Sequence, residues 1–204
     1  MIDKHQLEKM FEFHGHKCWA SALGFRAGLI ALKKLGVERA KAKELYTIIE
    51  TGSFHGGGCF GDGVQFATGC TAGKGNFIKK PRGKLAFTLI DIKDWKEIRI
   101  SINPKIKEKI AQSAFMKKRA AGIPPYEIPE EEIMEIVNYV LDSPEDEVLI
   151  IGEVKETNFE PPAEVMGMIN CEICGELVAK AFVRVIGQPG NLKLVCIDCA
   201  GYEE

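Results

Sequence analysis

The chain has 204 residues, of which 46% are hydrophobic and 27% charged, and its formal net charge at pH 7 is -2. This composition is typical of a folded protein and excludes a disordered chain. A charge so near neutral also argues against polyphosphate binding as the main role of the whole chain.

The first part of the chain predicts two helices. Asp3 is a typical helix start, and an apolar stripe follows it. The second helix is predicted over residues 19–35 and should end at Gly36, a typical left-handed stop. This helix is rich in small residues, which allow close backbone approach, so we expect it to be buried.

The middle of the chain predicts a mixture of strands and helices. The expected strands cover residues 45–50, 84–91, 97–102 and 147–154. The expected helices cover residues 62–69, 104–121 and 130–142. A glycine-dense segment, residues 52–63, is expected to form a loop.

The order of these elements favours an α+β fold, with an antiparallel or mixed sheet packed with helices, because strands and helices do not alternate regularly. We expect a core domain over residues 1–160, with a helical excursion at about 103–143. Pro161-Pro162 predicts a linker into a C-terminal module over residues 165–204.

Cysteine is abundant, with seven in the chain. The N-terminus has no basic and apolar leader, and no apolar run approaches the roughly 20 residues that cross a bilayer. We therefore expect a cytoplasmic protein without a membrane partner. Because the cytosol keeps most thiols reduced, metal binding or thiol chemistry is favoured over disulfides.

Two Cys-x-x-Cys turns near the C-terminus predict a structural zinc site, formed by Cys171, Cys174, Cys196 and Cys199. Residues 177–186 and 191–195 between them predict a hairpin, and the whole resembles a zinc ribbon or treble clef. The segment is too small to build a core, so metal binding should supply much of its folding free energy. Acidic residues outnumber basic ones here, which makes nucleic acid an unlikely partner.

A second cluster of potential ligands lies at His14-Gly15-His16-Lys17-Cys18. In an extended segment the two histidines and the cysteine would share a face, and in a helix His14 and Cys18 would do so. Imidazole and thiolate together suit zinc and related transition metals. The alternative is a pair of histidines at a helix end beside a buried thiol.

Cys59 lies in the glycine-dense segment together with His55. Glycines permit backbone conformations that other residues avoid, so a thiol on such a loop is positioned by the backbone and not by packing. The alternative is a flexible surface loop.

These motifs resemble the FmdE family of formylmethanofuran dehydrogenase subunits. The opening signature is His14-Gly15-His16-Lys17-Cys18 followed by Gly24-Phe25-Arg26. The second signature is Cys59-x-x-Asp62-x-x-Gln65, followed by Thr68-Gly69-Cys70-Thr71 and Gly73-Lys74-Gly75-Asn76. The resemblance covers roughly residues 5–100, and some family members carry a C-terminal four-cysteine zinc element.

The resemblance implies an α+β core, a homodimer and a link to molybdenum- or tungsten-dependent one-carbon metabolism. It also implies a pocket lined by His16, Cys18, Cys59, Gln65 and Cys70.

Two functions follow as hypotheses. In the first, the chain is a metal-dependent enzyme or enzyme subunit, in which His16, Cys18 and Cys59 hold a second, zinc-like transition metal. His14 or His55 is then a further or alternative ligand. A metal-free variant makes Cys59 a reactive thiolate of lowered pKa. In the second hypothesis, the chain is a non-catalytic accessory protein that docks onto a larger dehydrogenase complex through its zinc module.

Overall fold

The computed structural model describes residues 2–54 and 56–202. The chain divides into two compact units, Met1–Phe159 and Glu160–Glu204. The larger unit has a sheet in the order β2-β1-β3-β4-β5, with β6 also paired to β4. The strands are β1 (Leu45–Ile49), β2 (Phe77–Lys79), β3 (Ala86–Asp91), β4 (Lys96–Ile102), β5 (Leu149–Ile151) and β6 (Lys155–Glu156). The β1–β2 pair is parallel and the others are antiparallel, so the sheet is mixed.

Seven α-helices accompany this sheet among the described residues, which confirms the α+β class. They are α1 (Lys4–His14), α2 (Trp19–Leu35), α3 (Gly57–Thr68), α4 (Ile106–Gln112), α5 (Ala114–Ala120), α6 (Glu130–Asp142) and α7 (Glu145–Val148). The carboxylate of Asp3 caps α1 by accepting a hydrogen bond from the His5 amide at 3.0 Å. None of the described helices is long and apolar enough to cross a membrane.

The buried helix α2 and helix α3 approach each other very closely. A Cβ atom added at Gly24 of α2 would lie 2.1 Å from the Phe60 carbonyl oxygen, and one added at Gly63 of α3 would lie 2.0 Å from the Ser21 carbonyl oxygen. Only glycine permits this separation, so the two glycines set the distance between the helices. The contact brings the start of α2 beside the start of α3.

Arg26 connects α2 to the helices that lie between β4 and β5. Its guanidinium donates hydrogen bonds to the carbonyl oxygens of Val140 at 2.8 Å and Ser143 at 2.7 Å, at the C-terminal end of α6. These carbonyls have no partner within the helix, and a cation is favourable at this end of the helix dipole. The Arg26 side chain thereby holds α6 against α2.

Three predicted segments differ from the structure. The sequence predicts a loop over residues 57–61, which form the first turns of α3 instead. The predicted helix 104–121 is broken at Ser113, whose extended backbone ends α4 and whose hydroxyl accepts a hydrogen bond from the Met116 amide at the start of α5. The predicted strand 147–154 is shorter, because Pro144 begins the short helix α7 and β5 covers only three residues.

The smaller unit has two antiparallel pairs, β7 (Met168–Asn170) with β8 (Leu177–Ala179), and β9 (Arg184–Gln188) with β10 (Asn191–Val195). The sequence predicts a hairpin from residues 177–186 and 191–195. The structure forms it from β9 and β10, while 177–179 pairs with the preceding β7 instead.

A buried ion pair crosses the sheet of the larger unit. The Glu50 carboxylate accepts hydrogen bonds from Arg99 Nε at 2.6 Å and Arg99 Nη2 at 2.9 Å. The side chain of Glu50 is 3% exposed and that of Arg99 is 42% exposed. The hydrogen bond from Arg99 lowers the pKa of Glu50 below its ordinary value of 4.5.

This pair predicts an acid-sensitive contribution to stability. Because the folded-state pKa of Glu50 is lowered, its contribution is fully present above the unfolded-state pKa near 4.5 and is lost as pH falls through the folded-state value. We expect Glu50→Gln to reduce the free energy of unfolding at pH 7 by about 2 kcal/mol, less than for a fully buried pair because Arg99 is partly exposed. The variant's stability should also change less than that of the parent chain below pH 4.5. Urea unfolding at several pH values measures both effects, with exposed Glu153→Gln as the control; equal pH profiles for parent and Glu50→Gln would contradict the assignment.

Candidate metal centre

The turn between α1 and α2 brings three potential ligands together. Helix α1 ends at His14, because Gly15 adopts a left-handed conformation with a φ of 92°, and Cys18 precedes α2 with an extended backbone. The ligand atoms of His14, His16 and Cys18 all lie within 4.8 Å of one another. The two imidazole rings have centroids 4.5 Å apart. The turn therefore converges two nitrogens and one sulfur, a donor set that suits zinc and neighbouring transition metals.

His14 carries the contacts of a metal-binding histidine. Its Nδ1 atom is 2.8 Å from Asp62 Oδ2, and its side chain is 6% exposed. Its Nε2 atom is buried and has no hydrogen-bond partner among the described residues. Metal-ligating histidines almost always use their second ring nitrogen to contact a carboxylate or a carbonyl, which orients the ring. The Asp62 contact, followed in size by a hydrogen bond with Cys59, raises the pKa of His14 to about 9 in the metal-free chain.

Cys59 lies in the first turn of α3 and contacts this cluster. Its thiol interacts with both the Cys18 sulfur and the His14 ring. The hydrogen bond with Cys59 lowers the pKa of Cys18 to about 7, and the same contact raises the pKa of Cys59 to about 12. Cys18 is therefore the sulfur that carries negative charge near neutral pH, and Cys59 keeps its proton. This is the reverse of the expectation that Cys59 is the thiolate.

The other residues predicted for the pocket have different surroundings. Cys70 is fully buried in the main hydrophobic core, and burial raises the pKa of its thiol. The side-chain oxygen of Gln65 accepts a hydrogen bond from the Ala72 amide at 2.9 Å, which fixes the loop after α3. His55 lies outside the described residues. Exposed His16 has its pKa lowered, chiefly by partial desolvation, so it is neutral and able to bind a metal at pH 7.

Asp62 is a functional residue to which the sequence pattern assigns no role beyond its place in a signature. The signal that could have found it is spacing: Cys59 and Asp62 are three residues apart, so on a helix both side chains lie on one face and can reach the same site. The expectation of a loop at residues 57–61 concealed that relation.

In the smaller unit the four predicted cysteines form a second group. The sulfur atoms of Cys171, Cys174, Cys196 and Cys199 all lie within 4.8 Å of one another. Backbone amides point at these sulfurs, with Cys196 N 3.3 Å from Cys171 Sγ and Cys199 N 3.3 Å from Cys196 Sγ. Amide donors favour the thiolate form, and they lower the pKa of Cys171 to about 6. Four converging sulfurs could bind one metal ion, and the arrangement is consistent with structural zinc.

The fold and the sites define a class of protein: an α+β core with a His/Cys cluster at the meeting point of three helices, accompanied by a four-cysteine module. The sequence profile described as "FmdE, Molybdenum formylmethanofuran dehydrogenase operon" matches residues 13–150. The chain belongs to the FmdE family.

Solved structures include a similar fold. The crystal structure of an FmdE-like protein of tungsten formylmethanofuran dehydrogenase, from Syntrophus aciditrophicus, aligns with a TM-score of 0.58 and 21% identity. The alignment covers 97% of this chain and 91% of that one. No curated protein is significantly similar in sequence. At this identity the structural neighbour supports the fold alone.

Proposed function

We propose that the chain is a metal-dependent enzyme or enzyme subunit, in which His14, His16 and Cys18 hold a zinc-like transition metal. The observation that carries the proposal is the buried Nε2 atom of His14, which lacks a hydrogen-bond partner among the described residues while its Nδ1 atom contacts Asp62. A buried polar atom without a partner is costly, and a metal ion would satisfy it. This revises the predicted ligand set, since His14 takes the place that was given to Cys59.

The protein residues have separate roles in this proposal. Asp62 orients the His14 ring and increases its basicity, while Cys18 supplies the negative charge in the ligand set. Cys59 holds a proton beside the Cys18 sulfur and is placed to donate it. When bound, an ion with three protein ligands and an open position supplies Lewis acidity and lowers the pKa of water.

The C-terminal cysteines are proposed to hold a structural zinc, so the loaded chain carries two metals. The descriptions of the family and of the structural neighbour both refer to formylmethanofuran dehydrogenase. We therefore extend the proposal to molybdenum- or tungsten-dependent one-carbon metabolism. The homodimer, the larger complex and the cytoplasmic location stay predictions.

Metal content tests the proposal. The parent chain should bind about two metals, and His14→Ala about one, because the variant removes the buried nitrogen. His5→Ala is the matched control, since His5 is exposed on the same helix. Elemental analysis after exhaustive dialysis gives the stoichiometry. Asp62→Asn should keep the site but weaken it about 10- to 100-fold, the usual effect of a residue that orients a ligand. A His14→Ala chain that retains both metals would sink the proposal.

The second candidate function is a non-catalytic adaptor that docks through the zinc module. One observation favours it: Leu192 and Leu194 of β10 and Val185 of β9 are exposed on the same face of a two-stranded sheet. A chain that binds its metals but accepts no small ligand at His14, His16 and Cys18 would favour this role.

A further inference from the structure

A cleft borders the candidate metal centre in the larger unit. It has a volume of about 770 Å³ and is lined in part by His16, Lys17, Tyr126, Ile128, Glu130 and Ile133. One wall is the turn between α1 and α2, and the other is the start of α6 with the residues before it. His16 is exposed, so the cleft reaches one of the three proposed ligands directly. A cavity of this size accommodates a small molecule.

The walls of the cleft have two chemistries. Tyr126, Ile128 and Ile133 make the α6 side apolar, and the ring of Tyr126 is 86% exposed. The charged groups that line the cleft are Lys17 and Glu130, which form an ion pair at 2.6 Å. The contact with Glu130 raises the pKa of Lys17, so the amine is a cation at neutral pH.

The Lys17–Glu130 pair is open to exchange. The Glu130 side chain is 65% exposed and that of Lys17 is 27% exposed. Ion pairs at the surface are weak, because water and salt screen them. An incoming carboxylate could therefore replace the Glu130 carboxylate on Lys17 while Glu130 turns into solvent. A cation at one end and an apolar wall at the other would orient such a ligand.

We propose that this cleft binds a small carboxylate with an apolar body. The carboxylate lies at the end formed by His16 and Lys17, beside the metal, and the body packs on Ile128, Ile133 and Tyr126. This inference rests on the proposed function, because the metal is the second positive charge at the polar end. It names a substrate class for the site, with apolar length as the feature that the protein reads.

Binding of a homologous series of acids tests the inference. The probes are acetate, butyrate, hexanoate and octanoate, added to the chain loaded with Co²⁺, whose absorption spectrum reports a ligand at the metal. Each buried methylene is worth about 0.8 kcal/mol, so affinity should rise about fourfold per methylene until the cleft is filled. Hexanol has the apolar body without the carboxylate and should bind far more weakly than hexanoate.

Three variants separate the two ends of the cleft. Tyr126→Ala should weaken octanoate several-fold and leave acetate unchanged. Trp95→Ala is the matched control, because Trp95 is also an exposed aromatic residue but lies in the turn between β3 and β4. Lys17→Gln should weaken all four acids about tenfold, through the loss of a charged hydrogen bond. Glu130→Gln should strengthen them, since it removes the competing carboxylate.

The possible failures are distinguishable. If the chain binds the second Co²⁺ but its affinity is the same from acetate to octanoate, the cleft inference is wrong and the metal centre stands. If mutation of His14 shows that no metal binds beside Cys18, both the proposed function and the cleft inference are overturned.

Discussion

Replacing Gly63 with alanine is expected to destabilise the larger unit by about 3 kcal/mol or more. The added Cβ atom would lie 2.0 Å from the Ser21 carbonyl oxygen and 2.6 Å from the Phe25 amide nitrogen. Both atoms belong to the backbone of α2, so the clash is relieved only by moving one helix away from the other. The expected cost is at the upper end of the range for overpacked cores, because no flexible side chain can yield.

The same change should disturb the metal centre. Cys18 precedes α2, and Cys59 lies in the first turn of α3, so the α2–α3 distance sets the separation of the two thiols. Urea unfolding measures the stability, and metal content measures the site. We expect Gly63→Ala to lose affinity for the second metal even under conditions in which the chain is still folded.

Gly58→Ala is the matched control, since it adds the same methyl group to the same helix. No atom lies within 4 Å of the position that a Cβ atom at Gly58 would take. Alanine is the better helix former by about 0.5–1 kcal/mol, so this variant should be slightly more stable than the parent chain. If both variants changed stability by less than about 1 kcal/mol, the close packing of α2 on α3 could not be what sets the site.

The contrast between α2 and α3 shows what local sequence determines. Helix α2 is predicted over residues 19–35 and is found there, because its apolar pattern and its glycine stop are both local signals. Helix α3 starts five residues earlier than predicted, at Gly57. Glycine has a poor intrinsic helix propensity, so the segment resembles a loop. Its glycines serve the packing against α2, and tertiary contact overrides the local preference.

The candidate site is predictable only in part, for the same reason. Cys18 and His16 lie two residues apart, so their convergence follows from local geometry. His14 and Asp62 are 48 residues apart, and their contact depends on how α1 meets α3. The choice between His14 and Cys59 as ligand depends on that contact. The four C-terminal cysteines need no tertiary information beyond one hairpin, because each Cys-x-x-Cys turn positions two sulfurs by itself.

Replacing Cys171 with serine is expected to unfold the smaller unit. The buried core of this unit consists of Cys171, Val195 and Cys196. Two of these three residues are proposed metal ligands, so little apolar burial is left to stabilise the fold when the metal is lost. Structural zinc supplies about 10–16 kcal/mol of apparent binding free energy in small zinc modules, which is also their folding free energy.

Amide hydrogen exchange measures this prediction residue by residue. In the parent chain the backbone amides of β9 and β10 should exchange slowly, and in Cys171→Ser they should exchange at nearly the rate of an unfolded peptide. A chelator added to the parent chain should have the same effect. Lys193→Ser is the matched control, because Lys193 is exposed on β10 and contributes no sulfur. Protected amides in a Cys171→Ser chain that binds no metal at this site would mean that the hairpins are stable alone, and that the four sulfurs meet for a purpose other than folding.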